Sequence, residues 1–306
     1  MEFFKHNANL NFMKFRYLAI IFSIIIFIVS IASIITYSFN WGLDFTGGTQ
    51  IHLQFKQDVV TENIQKTLKQ KNLKNTQVQS YGSNKDILIT LALSKKDNRL
   101  LNNEKITNFI NKTFPLAKIT SINSVGAKVS EELANKGSIA VIIAMLLIFI
   151  YIAFRFEYRM AISASIALIH DPVLILGIFS FFHIKFDLTA LAAILTVLGY
   201  SLNDTIVVFD RVRENFRKMR TGNSSGVINI SINQTLSRTI MTSMLTLVVV
   251  IALLLFGGPD IFSFSLALAI GIIVGTYSSI YIAGALAIQF GLSKKHLMKK
   301  CIDNNN

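Results

Sequence analysis

The chain has 306 residues, 52% of them hydrophobic, and 30 Lys and Arg against 17 Asp and Glu give it a formal charge of +13. Apolar residues gathered in blocks of about twenty exclude an ordinary soluble domain and point to an α-helical membrane protein with many spans. One cysteine, Cys301, excludes an internal disulfide or a cysteine metal site, and the five histidines lack ligand spacing. The basic residues cluster beside the apolar blocks, which marks membrane topology and argues against nucleic acid as a partner.

Residues 1–16 carry Lys5, Lys14 and Arg16 ahead of the first apolar block at 17–39. That block is too long for a signal-peptide core and lacks a clear small-residue cleavage site, so it reads as a retained first span. Residues 40–136 are polar. There GTQIHLQF (48–55) alternates as a strand, and 61–70 is helical with Ile64 and Leu68 one turn apart. Strands at 77–81 and 87–93 flank a turn at Gly82-Ser83-Asn84. A helix at 103–114 carries Ile106, Phe109 and Ile110 on one face, and KITSIN (118–123) is strand-like. The order β-α-β-β-α-β fits a small ferredoxin-like α/β domain between the first and second spans.

Five further blocks, at 137–154, 160–182, 188–209, 238–256 and 262–290, complete six spans, and a basic tail covers 291–306. Arg155 and Arg159, the run from Arg211 to Arg220, and Lys294, Lys295, Lys299 and Lys300 all fall on one side with the N-terminal cluster. The opposite short loops, 183–187 and 257–260, are nearly neutral. The positive-inside rule then places both termini in the cytoplasm and the long loop outside, since long loops cross largely regardless of charge.

Asp204 lies within the fourth span, where an ionised carboxylate costs at least ~2.5–3.5 kcal/mol on insertion scales. Tyr200 and Ser201, at i−4 and i−3, share its face, and Asn203 and Thr205 adjoin it. It stands roughly 10 Å below the boundary at Arg211. Either it caps or snorkels near a helix end, or it is a proton or ion site. On the fifth span, Thr235, Arg238, Thr242 and Thr246 fall on one helical stripe. Arg238 enters at a depth matching Asp204. Either it pairs with that carboxylate, in a contact that a competing proton could break, or it is one more interfacial basic residue. Asp171, beside His170 and Pro172, is the third intramembrane charge, close to the bilayer centre at roughly 16 Å from the basic end. Helix neighbours point about 100° apart, so spacing alone implies no His–Asp pair. Pro172 removes a backbone donor and frees a carbonyl. In the last span, Gly271 and Gly275 form a small-xxx-small packing face.

GYSLNDTIVVFDRVREN (199–215) resembles the fourth-span signature of the SecF branch of the SecD/SecF protein-export family, and GLDFTGGTQIHLQF (42–55) resembles the motif after the first span in both branches. The His170-Asp171 pair and SRTIMTS (237–243) fit the same family, which belongs to the resistance-nodulation-division superfamily. Length favours the SecF branch. The resemblance implies a subunit of the bacterial cytoplasmic (inner) membrane that joins a SecD-like partner and the SecYEG channel. It would act on unfolded exported polypeptide, with the proton gradient as energy source and no cofactor. It carries the proton pathway onto Asp204 and Arg238, with Asp171 as a further member. Tyr200, Ser201, Asn203, Thr205, Thr242 and Thr246 would line the path. Two other readings stand beside it: a half-size proton-coupled transporter of a small molecule or lipid, and a structural scaffold of the channel. An enzyme is not expected, since no nucleophile–base set, phosphate loop or metal cluster is present.

Overall fold

A computed structural model describes residues 10–71, 76–81, 83–92, 103–219, 223–294 and 296. Lys5, Gly82, Arg220, Lys295, Lys299, Lys300 and Cys301 lie outside the described residues. Among the described residues, six helices are long and apolar enough to cross a membrane. They are α1 (Arg16–Tyr37), α5 (Ala127–Arg155), α6 (Tyr158–Phe181), α7 (Leu188–Lys218), α8 (Ser224–Phe256) and α9 (Pro259–Tyr277). A π-helical turn, Ser278–Ile282, joins α9 to α10 (Ala283–Gln289). The sixth apolar block is thus one span whose helix widens at Ser278.

Helices α6, α7 and α9 form the inner layer; α1, α5 and α8 lie outside it with most of their large apolar side chains exposed. Small residues set the spacing. A Cβ on Gly271 would come within 2.2 Å of Val197, and one on Gly275 within 3.0 Å of the Ser201 Cβ, so α9 packs directly on the α7 backbone. On α1 only Ala19, Ser23, Ser30 and Ser33 are buried. They form the stripe that meets α6, where Gly177 has no room for a Cβ against Ser30.

The domain between α1 and α5 holds β2 (Gly48–Phe55), α3 (Thr61–Gln70), β3 (Thr76–Tyr81), β4 (Ser83–Ala92), α4 (Asn103–Thr113) and β5 (Ala117–Val125). The sheet order is β3-β4-β2-β5, all antiparallel, as the ferredoxin-like reading requires. Alternation on β2 turns Ile51 and Leu53 inward, where they meet Ile64 and Leu68 of α3 and Ile106 and Ile110 of α4. Gly47 and Gly48 sit at φ 66° and 136°. A Cβ on Gly48 would lie 2.2 Å from the Leu91 carbonyl oxygen, so the entry to β2 needs glycine for both conformation and space.

The domain is tied to α7 before the sheet begins. Strand β1 (Asn40–Trp41) pairs in parallel with β6 (Lys185–Phe186) in the α6–α7 connection. Within the short helix α2 (Leu43–Thr46), Asp44 accepts a 3.0 Å bond from the Leu188 N–H. Asp187 is the N-cap of α7, accepting from Ala190 N at 3.0 Å. Two carboxylates therefore hold the N-terminus of α7, satisfying donors that the helix leaves open and complementing its dipole.

Candidate functional site: the intramembrane polar centre

Asp171 is fully buried in α6. Its Oδ2 accepts from Ser201 on α7 at 2.6 Å and from Ser278 in the π-helical turn at 2.9 Å. Its Oδ1 faces His170 Nδ1 at 3.1 Å, and His170 Nε2 meets Ser23 of α1 at 3.1 Å. The His170 ring stacks on Phe27. Adjacent positions on a helix do pair here, although spacing does not imply it. One network thus crosses four elements in the sequence Ser23, His170, Asp171, then Ser201 and Ser278. The widened turn at Ser278 brings that hydroxyl to the carboxylate, in keeping with the occurrence of π-bulges at functional sites.

Asp204 lies one turn from Ser201 on the same face of α7 and is 4% exposed. Among the described residues its buried Oδ2 has no hydrogen-bond partner, and neither has the hydroxyl of Thr239 on α8. The antiparallel register of the two helices is given by Tyr200, which donates to Ser243 at 3.4 Å, and by Asn215, which donates to Ser231 at 2.9 Å. Asp204 and Thr239 fall at one level between those bonds. Arg238 is near enough for its charge to act on Asp204, yet it is exposed and forms no ion pair within 4.0 Å among the described residues.

The remaining expected residues divide by face. Ser201 and Thr205 are buried beside Asp204, and Tyr200 is half-buried. Asn203 lies on the exposed face of α7 and stands apart from the centre. On α8, Thr235 is buried, whereas Arg238 and Thr242 are exposed and Thr246 is half-exposed. The Thr242 and Thr246 hydroxyls bond back to their own helix, at the Arg238 and Thr242 carbonyls. The inward stripe of α8 is Thr235, Thr239 and Ser243, and Ser243 shares a 2.8 Å bond with Thr276 on α9. The sequence alone does not single out Ser23, Thr239, Ser243 or Thr276, and it places Ser278 only on the packing side of the last span. The signal for Ser23 was present in α1, where the serines at 23, 30 and 33 recur at helical spacing in an otherwise aliphatic block.

A second contact lies where the domain meets the membrane part. His52 on β2 stands 4.0 Å from Asp260 at the start of α9, and its buried Nε2 has no hydrogen-bond partner among the described residues. Burial chiefly holds the His52 pKa below the ordinary histidine value; Asp260 opposes that shift and Lys185 adds to it. Lys185 also donates to Gln50 of β2 at 3.3 Å.

Two family models match the chain: Protein export membrane protein SecD/SecF, C-terminal, over residues 105–293, and SecD/SecF GG Motif, over 32–59. The protein translocase subunit SecF of Vibrio alginolyticus is 45% identical over 97% of this chain and 95% of its own length. That of Haemophilus influenzae is 45% identical over 96% of this chain and 90% of its own length. A crystal structure of SecDF from Thermus thermophilus, described as a translocon-associated membrane protein, superposes with a TM-score of 0.84 at 33% identity. The match covers 94% of this chain and 39% of the SecDF chain.

Proposed function

Because the chain belongs to the SecD/SecF family of protein-export membrane proteins, we propose that it is a proton-driven subunit of protein export across the bacterial inner membrane. The observation that carries this reading is Asp204: a carboxylate oxygen buried and unpartnered inside a spanning helix, one turn from the Asp171 network. A membrane helix holds such a group at a cost, and ionisable residues inside spanning helices mark proton relays and ion pathways. In this reading Asp204 takes up and releases protons. Arg238 biases its charge state from α8, and Asp171 with Ser201 and Tyr200 extends the polar interior. Each charge crossing 100 mV supplies ~2.3 kcal/mol, so a few protons suffice to drive a domain movement.

A SecD-like subunit is the proposed partner. Arg238 and Thr242 lie exposed on the outer face of α8, where lipid would solvate a guanidinium poorly. A partner presenting acidic or polar groups would cover them. That the chain spans about two fifths of the SecDF chain it resembles supports a partner of similar architecture supplying the rest. The termini then lie in the cytoplasm and the α/β domain in the periplasm, with SecYEG delivering unfolded polypeptide to that side. The β1–β6 pairing and the Asp44 cap give the domain a direct mechanical link to α7, the helix bearing Asp204.

The test is late-stage export in vesicles carrying SecYEG and the SecD-like partner, with and without this chain. The gradient-dependent part of export should disappear without the chain. An unchanged response to the gradient would contradict the proposal, and gradient-driven flux of a small molecule through the chain alone would favour the transporter alternative.

A further inference from the structure

The His170–Asp171 contact has a property that Asp204 lacks: a complete set of partners that fits more than one protonation state. With Asp171 ionised, Ser201 and Ser278 donate to Oδ2, and His170 Nδ1–H donates to Oδ1. His170 Nε2 then accepts from the Ser23 hydroxyl. In that state the centre carries one net negative charge within the membrane, and no Lys or Arg is ion-paired with it among the described residues. Adding one proton at Nε2 makes the imidazole cationic and the centre neutral. Nε2–H now donates to Ser23 Oγ, whose own hydroxyl proton turns toward the neighbouring Tyr277. Sliding the proton on Nδ1 across the 3.1 Å contact to Oδ1 gives a neutral acid beside a neutral imidazole, with the same heavy atoms in place. Proton uptake therefore needs a hydroxyl rotation and no helix movement, and it removes a buried net charge.

We propose that His170 and Asp171 form a second proton-holding centre, distinct from Asp204, in which one exchangeable proton is shared between imidazole and carboxylate. The titratable groups next to it are Tyr277, which bonds Ser23 and donates to the Ala19 carbonyl at 3.0 Å, and Asp204, one turn beyond Ser201 on α7. From α1 it is faced by Ser23 and the Phe27 ring, and from the π-helical turn by Ser278. Ser201 ties the carboxylate to the helix that bears Asp204, so loading of one site is felt by the other through like-charge repulsion. The purpose of the centre rests on the proton-driven reading above; its protonation chemistry does not.

The test is nitrogen magnetic resonance of the full chain, with its partner, in lipid nanodiscs with labelled histidine, from about pH 5 to about pH 9, where histidine charge ordinarily changes. The His170 signals should show gain of a proton at Nε2 in wild type and in Asp204→Asn, and loss of that response in Asp171→Asn. If Asp171→Asn does not assemble, Ser23→Ala takes its place, removing the Nε2 partner while keeping the carboxylate, and should displace the Nε2 signal. A His170 signal constant across the range, a response that persists in Asp171→Asn, or an Nε2 signal indifferent to Ser23→Ala would overturn the proposal. Export that stays gradient-driven in Asp204→Asn would instead remove the functional reading and leave this titration untouched.

Discussion

Ser201 on α7 donates a 2.6 Å hydrogen bond to Asp171 on α6, one turn from the unpartnered carboxylate of Asp204. The same Asp171 oxygen accepts from Ser278, so three elements of the inner layer converge on one atom. That convergence makes the polar interior a structural key that locks α6, α7 and the π-helical turn together.

Ser201→Ala should leave Asp171 Oδ2 with a single donor. Hydrogen bonds to charged groups contribute ~1.5–3 kcal/mol, so the unfolding temperature in detergent should drop measurably, and Ser278→Ala should act likewise. The double variant should depart from additivity, since both hydroxyls serve one oxygen. Strict additivity would mean that the two bonds are independent.

Gly271→Ala places a methyl group 2.2 Å from a Val197 carbon. Overpacking of this kind costs ~1–3 kcal/mol. Val197→Ala in the same chain should restore most of the loss by vacating that space. Thermal unfolding of the two single variants and the double variant checks this; a double variant worse than either single one would place the α7–α9 contact elsewhere.

His52 should give the α/β domain a pH dependence. Burial keeps its folded-state pKa below the unfolded value, so the unfolded chain binds the proton more readily. Its contribution to stability is complete above the ordinary histidine value, about 6.5, and is lost as pH falls below it toward the folded value. Wild type should therefore lose more thermal stability than His52→Gln between about pH 7.5 and about pH 5.5. Asp260→Asn removes the one charge that favours protonation and should deepen the loss. Parallel pH profiles for wild type and His52→Gln would refute this.

Arg238 is exposed and lacks a close ion pair among the described residues. Arg238→Gln should leave the stability of the isolated chain within about 0.5 kcal/mol, as for surface changes generally. In the assembled complex the same change should impair gradient-driven export and weaken copurification with the SecD-like partner. Strong destabilisation of the isolated chain would show that Arg238 serves packing within this subunit.

Much of the architecture was legible because the bilayer imposes long apolar blocks and the domain follows plain period-2 and i,i+4 patterns, as Ile51–Leu53 and Ile64–Leu68 illustrate. The ends of the spans were less so. Helix α8 begins at Ser224, well before the apolar block at 238–256, because its first turns are polar on one side and bury Val227, Ile228, Ile232 and Leu236 on the other. Helix α5 likewise starts at Ala127, ahead of the apolar block, on a charged stretch that hydropathy alone discards. The charged members of the site stood out as intramembrane oddities. Their hydroxyl partners did not, because a serine in an apolar helix costs little and gains meaning only when a neighbouring helix supplies the acceptor. The facing of Arg238 away from the inner stripe was also hidden: a stripe drawn through 235, 238, 242 and 246 spans both sides of the boundary between the buried and exposed faces of α8.

The most direct measurement is proton-gradient-dependent late export by the assembled complex carrying Asp204→Asn. The change is nearly isosteric and keeps a polar group at the buried position, so insertion, assembly and the unfolding temperature should stay close to wild type. Export should become indifferent to the gradient. An assembled Asp204→Asn complex that still accelerates export in response to the gradient would contradict the role assigned to Asp204.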